Sequence, residues 1–172
     1  EKAKNISENI INVFIHRDEN ICENKINQNI FNNLDGFKFN IYLNENSINF
    51  LKKLGSFKKF SDYFETHEGI HSGNVREKLF LDKKINNNCK KLILGRDEVQ
   101  RYYLNWNGKW VNYNKEIINN NEYAGFGRRE YFECKKIIIR RTGDYILGNI
   151  DESGYYFSNN VFVCVPKQDS GL

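Results

Sequence analysis

Apolar positions along the chain recur at two different spacings. Residues 9–16 (NIINVFIH) hold Ile10, Ile11, Val13, Phe14 and Ile15 in a β-prone run without helix-capping residues. That run predicts a strand, closed by a turn at Asp18-Glu19-Asn20. Residues 37–43 (FKFNIYL) alternate strictly, which predicts a second strand with Phe37, Phe39, Ile41 and Leu43 on one face. The spacing then lengthens. Ile48, Phe50, Leu51 and Leu54 line one side of a short helix, with Asn46 or Ser47 as cap and Gly55 as stop. Phe57, Phe60, Tyr63 and Phe64 add another amphipathic turn or two.

From Gly69 onward the pattern shortens again. THEGIHSGN (66–74) reads as a glycine-bearing loop leaving a short strand, and Leu92–Leu94 as a short strand. Asp97 caps a helix expected to run through Tyr103. Lys109–Tyr113 alternates like a strand, and 114–127 is loop. Cys134–Arg141 (CKKIIIRR) is the strongest strand signal in the chain. A tight Thr142-Gly143-Asp144 turn joins it to a hairpin partner at 145–150. Tyr155–Phe157 and Val161–Val165 close an expected meander of local connections. The fold class that follows is α+β: a twisted, mainly antiparallel β-sheet with a few short helices.

At 172 residues the chain has room for one domain, or one domain and an appendage. Its 40% hydrophobic and 15% aromatic content marks a folded chain. No apolar run approaches the roughly 18 residues of a membrane helix, and the N-terminus lacks the apolar core of a signal peptide. The expectation is a cytoplasmic protein with no membrane partner. The 27 asparagines match the 19 isoleucines and 18 lysines as a sign of AT-rich coding, so Asn86–Asn88 and Asn119–Asn121 read as solvated loops. The absence of methionine suggests a piece of a longer protein.

Cys22, Cys89, Cys134 and Cys164 form no close pair, and His16, His67 and His71 are scattered. Reduced, mostly buried thiols are expected, and neither a zinc site nor a disulfide framework. The net charge of +4 is unevenly spread. Residues 1–65 are neutral, 76–141 carry +8, and 142–172 carry −3. The basic stretch holds Lys83-Lys84, Lys90-Lys91, Arg128-Arg129, Lys135-Lys136 and Arg140-Arg141, interleaved with tyrosine, tryptophan and phenylalanine. That is the pattern of a phosphate-binding surface, and equally of solvated strand faces.

Catalytic motifs are sparse. The chain has no phosphate-binding loop, no dinucleotide fingerprint and no nucleophile elbow, and its single proline, Pro166, excludes an Asn-Pro-Pro-aromatic loop. Glu133-Cys134-Lys135 supplies the Glu-x-Lys half of a nuclease-type metal motif, with both side chains expected on one strand face and Asp97 as the nearest upstream carboxylate.

From Phe60 the order of segments resembles a known family. The segments are FSDYFETHEGIHSGN, KKLILGRDEVQRYYLNWNGKWVNYN and RREYFECKKIIIRRTGDYILGNIDESGYYFSNNVFVCVPK. The resemblance is to the TaqI-like C-terminal specificity domain, the target recognition domain of adenine-specific DNA methyltransferases, including fused type IIG restriction–modification enzymes. The matching positions are Gly69-Ile70 with Gly73, Leu92 to Arg96-Asp97, Arg101-Tyr102, Trp110 to Tyr113, Phe132 with Lys136-Ile137, Arg140, Gly143, Asp151 with Gly154-Tyr155, and Asn159-Asn160.

The resemblance implies residues 1–44 as the tail of an upstream methyltransferase domain or lead-in strands, and 45–172 as a DNA target recognition domain. It implies a parent that moves a methyl group from S-adenosylmethionine to the amine of a flipped adenine, with Mg only if a nuclease is fused. The fragment itself would hold no cofactor and no catalytic residue. It would grip double-stranded DNA beside the parent's own catalytic domain. Lys90, Lys91, Arg128, Arg129, Lys135 and Arg141 are the phosphate candidates. Arg76, Arg96, Arg101 and Arg140 fit either phosphate or base contacts. Asn74 could pair with adenine, and Tyr102 or Tyr113 could stack or touch a thymine methyl. On strand 134–141, Lys135, Ile137, Ile139 and Arg141 share one face and Cys134, Lys136, Ile138 and Arg140 the other, and one of the two must be core. The rival readings are a metal-dependent nuclease using Glu133 and Lys135, the specificity domain of a type I or phage-defence system, and a protein-interaction module with a basic face.

Overall fold

The computed structural model describes residues 9–34 and 39–168. The chain divides into two compact units, residues 1–58 and 59–172.

In the first unit, β1 (Ile10–Arg17) and β2 (Asn20–Asn27) pair antiparallel from Ile10↔Asn27 to Arg17↔Asn20. The two-residue turn between them places Asp18 at φ +51°, a conformation that aspartate tolerates better than most residues. A 3-10 segment, Gln28–Asn33, follows β2. Helix α1 (Glu45–Gly55) is capped by Asn44, whose side-chain oxygen accepts from the Ser47 amide at 2.9 Å. The strand expected at 37–43 does not form where the chain is described. Residues 39–44 run as coil and turn, and the carbonyls of Ile41 and Leu43 accept from the Asn24 side chain at 3.1 and 2.8 Å in place of a strand neighbour. Phe37 lies outside the described residues.

The second unit opens with α2 (Phe60–Tyr63) and β3 (Phe64–Glu68). Along the chain follow α3 (Arg76–Leu79), β4 (Phe80–Leu81), β5 (Cys89–Ile93), β6 (Val99–Gln100), β7 (Tyr103–Leu104), β8 (Trp110–Asn112), α4 (Arg129–Glu133), β9 (Lys136–Arg140), β10 (Gly148–Asp151), β11 (Tyr156–Phe157) and β12 (Val161–Pro166). One sheet, ordered β10-β9-β12-β3, is antiparallel throughout. A second, ordered β11-β5-β8-β4, is antiparallel except where β11 runs parallel to β5. The result is the mainly antiparallel α+β architecture. The C-terminal strands are not a local meander, however. β12 lies between β9 and β3, and β11 crosses to the other sheet, because their side chains are apolar on the faces that both sheets need to cover. Ile138, Val161 and Val163 from one sheet and Leu92, Ile93, Val111 and Phe157 from the other are fully buried in one core, each contributing about 1.5–3 kcal/mol where the side chain is large.

The chain passes from β3 through Gly69 with no room to spare. A Cβ there would lie 2.2 Å from the Ser158 carbonyl oxygen and 2.5 Å from that of Phe157. This close approach lets the Ile70 amide donate to Phe157 at 2.7 Å and the Asn159 amide donate to Ile70 at 3.0 Å.

The core also holds one ion pair. Lys136 lies in the inward phase of β9 beside Ile138, so the face carrying Lys136 and Ile138 is the core face. Its ammonium donates to Asp151 at 2.6 Å, to the Cys134 carbonyl at 3.3 Å, and to the Phe132 carbonyl. Asp151 in turn accepts the amides of Ser153 at 2.9 Å and Tyr155 at 3.0 Å. The side chains are 0% and 1% exposed. Every ammonium proton has an acceptor, which is the condition under which a buried pair is tolerated.

The helix expected from Asp97 to Tyr103 is replaced by a 3-10 turn (Arg96–Glu98) and the β6–β7 hairpin. Gly95, not Asp97, precedes the turn, at φ +100°, and Arg96 and Tyr102 also take positive φ, at +48° and +71°. Three such residues within eight preclude a right-handed helix. Glu133 ends α4 before β9 begins, so it does not share a strand face with Lys135.

Candidate nucleic-acid interface

Local backbone geometry sorts the basic side chains of the second unit into two classes. In the first class each cation already faces a carboxylate. Lys135 meets Glu152 at 2.6 Å, Arg141 meets Glu68 at 2.9 Å, and Arg129 meets Glu133 at 2.8 Å, with Lys90 at 3.8 Å from the same Glu133 oxygen. In the second class the cation has no carboxylate partner among the described residues. Arg76 lies 5.1 Å from the ring centroid of Phe80, Arg101 5.3 Å from Tyr102, and Arg128 5.8 Å from Tyr131. Lys91 sits 4.7 Å from the Trp106 centroid and Lys84 5.9 Å from that of Trp110, the two indoles meeting edge to face at 5.1 Å. Lys91 pairs with Trp110 across β5 and β8, which holds this lysine–indole row in register.

Arg96 and Arg140 are brought together. Arg140 donates to the Thr142 carbonyl at 2.7 Å and to the Arg96 carbonyl at 3.3 Å, tying the loop after β9 to the 96–98 turn. The Arg140 guanidinium is thus held against the backbone of Arg96, and neither arginine has a carboxylate partner among the described residues. β10 packs beside both strands of the β6–β7 hairpin, so Arg101 and Tyr102 project from an element braced by the same sheet. The loop from β9 to β10 exposes Tyr145 and Ile146. Arg96, Arg101, Tyr102 and Arg140 thus sit on neighbouring turns, and Tyr102 is largely exposed.

Glu98 anchors the 96–98 turn. The carboxylate is buried, and its Oε2 accepts from the Leu94 amide at 2.5 Å. Its Oε1 is buried with no hydrogen-bond partner among the described residues. Burial pushes its pKa above the ordinary glutamate value, against the pull of the Leu94 amide. The sequence carries no signal for this role.

Two sequence candidates are engaged within the fold: Tyr113 is half-buried, and Asn74 is exposed but bound to a neighbouring loop. Tyr113 packs edge-on against Phe126, Phe132 and Tyr156 at 5.4, 6.4 and 5.0 Å, and its hydroxyl donates to the Gly127 carbonyl at 3.1 Å. Burial raises its pKa. Asn74 donates to the Asn121 carbonyl at 3.2 Å and accepts from the Tyr123 amide at 2.9 Å, so both ends of its amide hold the 121–123 loop. Glu133 accepts from the Tyr156 hydroxyl at 2.9 Å as well as from Arg129, and hydrogen bonding to Arg129 lowers its pKa. Its carboxylate is a fastener between α4 and β11. Among the described residues no cluster of three or more His, Cys, Asp or Glu has metal-binding geometry, and no helix is long and apolar enough to cross a membrane.

Residues 90–172 match the family described as the TaqI-like C-terminal specificity domain. The match begins on β5 and takes in the hairpin, the indole row, α4 and both arginine turns, while the Gly69–Gly73 turn precedes it. No curated protein matches the chain. A match to this family suggests a DNA-recognition role in restriction–modification systems.

Proposed function

We propose, from the TaqI-like specificity domain carried by residues 90–172, that this chain is the target recognition part of an adenine-specific DNA methyltransferase or type IIG restriction–modification enzyme. The observation that carries the reading is the separation of charge. Among the described residues, Arg76, Arg96, Arg101, Arg128 and Arg140 have guanidinium groups without carboxylate partners, whereas Lys135, Arg129 and Arg141 each face a carboxylate. Unpaired guanidinium groups meet phosphates at no cost of breaking an internal ion pair, and their planar fork also fits guanine O6 and N7. Double-stranded DNA is the partner, in the cytoplasm. Methyl transfer from S-adenosylmethionine belongs to the parent's catalytic domain, which would act on the base that this surface has positioned.

The test is binding of the whole chain to duplex DNA over a range of salt concentrations. Each phosphate contact contributes about 0.9 to the slope of log affinity against log salt. Arg101→Ala and Arg128→Ala each lower that slope by about one. Lys135→Ala, which removes a charge already paired with Glu152, changes it much less. No binding to any duplex at low salt refutes the reading.

A further inference from the structure

We infer that Tyr102 is a stacking wedge, a ring that enters the duplex at an opened base step while Arg101 holds the neighbouring phosphate. The inference rests on the proposed DNA-binding role and specifies how one part of that surface works.

The hairpin β6–β7 turns through two residues, Arg101 and Tyr102. Tyr102 occupies φ +71°. A turn with positive φ at its third position calls for glycine or asparagine, and a bulky aromatic residue is disfavoured there. The side chain does not repay the strain inside the fold. It is 83% exposed and, among the described residues, makes no hydrogen bond and has one ring contact, the Arg101 guanidinium at 5.3 Å. The turn itself is firmly placed. The buried Val99 pairs with Leu104, the Asn105 amide donates to the Glu98 carbonyl at 2.9 Å, and β10 braces both strands. A strained, solvent-facing aromatic residue on a rigid two-residue tip satisfies no folding requirement, so its use lies outside the fold.

The chemistry of the tip selects the ligand surface. A phenol ring flanked by a guanidinium group fits a base face next to a phosphate. Intact duplex hides its base faces, so the ring gains this contact only where a step is unstacked, and narrow apolar or aromatic tips act on duplexes in that way. Steps already weakened by a mismatch or a missing base are the easiest to open.

The experiment measures binding of the full chain to three duplexes of one length and flanking sequence: fully paired, carrying one mismatch, and carrying one abasic site. 2-Aminopurine beside the lesion reports unstacking. The chain is expected to favour the lesion duplexes by about tenfold and to change the 2-aminopurine fluorescence. Tyr102→Phe keeps both effects. Tyr102→Gly, which suits the turn, abolishes both while leaving the salt slope on paired duplex unchanged and thermal stability equal or higher. Equal affinity for all three duplexes, or a preference that survives Tyr102→Gly, overturns the wedge and leaves duplex binding standing. Absence of binding to every duplex overturns the DNA-binding reading, and the wedge falls with it.

Discussion

Replacing Lys136 by methionine tests whether the buried ion pair holds the second unit together. Methionine has nearly the volume of lysine and fits the apolar neighbours, so cavity effects are small. The loss falls on Asp151, left as a buried carboxylate at 1% exposure with two amide donors, from Ser153 and Tyr155, and no cation. Breaking a buried pair from one side costs about 3–5 kcal/mol, and the surviving amide bonds place this case near the lower end. Set against a total of about 5–15 kcal/mol for a domain, that is a large fraction. Urea unfolding followed by tryptophan fluorescence reads the right unit, since both tryptophans, Trp106 and Trp110, lie in it. With a slope of about 2 kcal/mol per molar urea, the midpoint should fall by about 1.5 M. Adding Asp151→Asn to Lys136→Met removes the orphaned charge but keeps an acceptor for the amides, and should recover a substantial part of the loss. A single-variant loss below about 1 kcal/mol, or a double variant no more stable than Lys136→Met, would refute the reasoning.

Two further outcomes follow from buried groups. Glu98 has a folded-state pKa above the ordinary value of 4.5, so between those two values the native state holds more protons than the unfolded state and stability falls as pH rises. The effect is complete above the raised value. Glu98→Gln should flatten this window in pH-dependent urea melts and leave neutral-pH stability within about 1 kcal/mol, whereas an unchanged difference profile between the two proteins removes Glu98 from it. Thiol accessibility gives the second outcome. Cys22 is exposed, Cys89 and Cys164 are buried, and burial also raises the Cys164 pKa. A maleimide should modify Cys22 rapidly in the native chain and reach Cys89 and Cys164 only on unfolding, which mass spectrometry of digests resolves.

Elements set by local pattern were readable in the sequence, and elements set by long-range pairing were not. The 9–16 run gave a strand and the Ile48–Leu54 spacing a helix ending at Gly55, because burial of one face repeats within a few residues. The 97–103 segment reads as a helix since Asp-Glu-Val-Gln-Arg-Tyr-Tyr contains no breaker. What breaks it is the positive φ at Arg96 and Tyr102, residue types that carry no mark of that conformation. β2 escaped notice because its apolar positions are sparse, and it forms by pairing with β1 across the turn. The placement of β12 between β9 and β3 depends in part on β3, nearly a hundred residues away in sequence, to which no period points. At the candidate interface, charge counting found the basic stretch but not which cations have carboxylate partners. Lys135 and Arg101 look alike in sequence. Only the fold places Glu152 beside Lys135 and, among the described residues, no carboxylate beside Arg101.

The pairing of β3 with β12 has a consequence beyond packing. It sets Phe64 opposite Pro166, and the Lys167 amide donates to the Tyr63 carbonyl at 2.8 Å. Residues 63 and 167, near the two ends of the described part of the second unit, therefore lie side by side. A unit with this geometry tolerates being opened at a surface loop and rejoined through a short linker from 167 to 63.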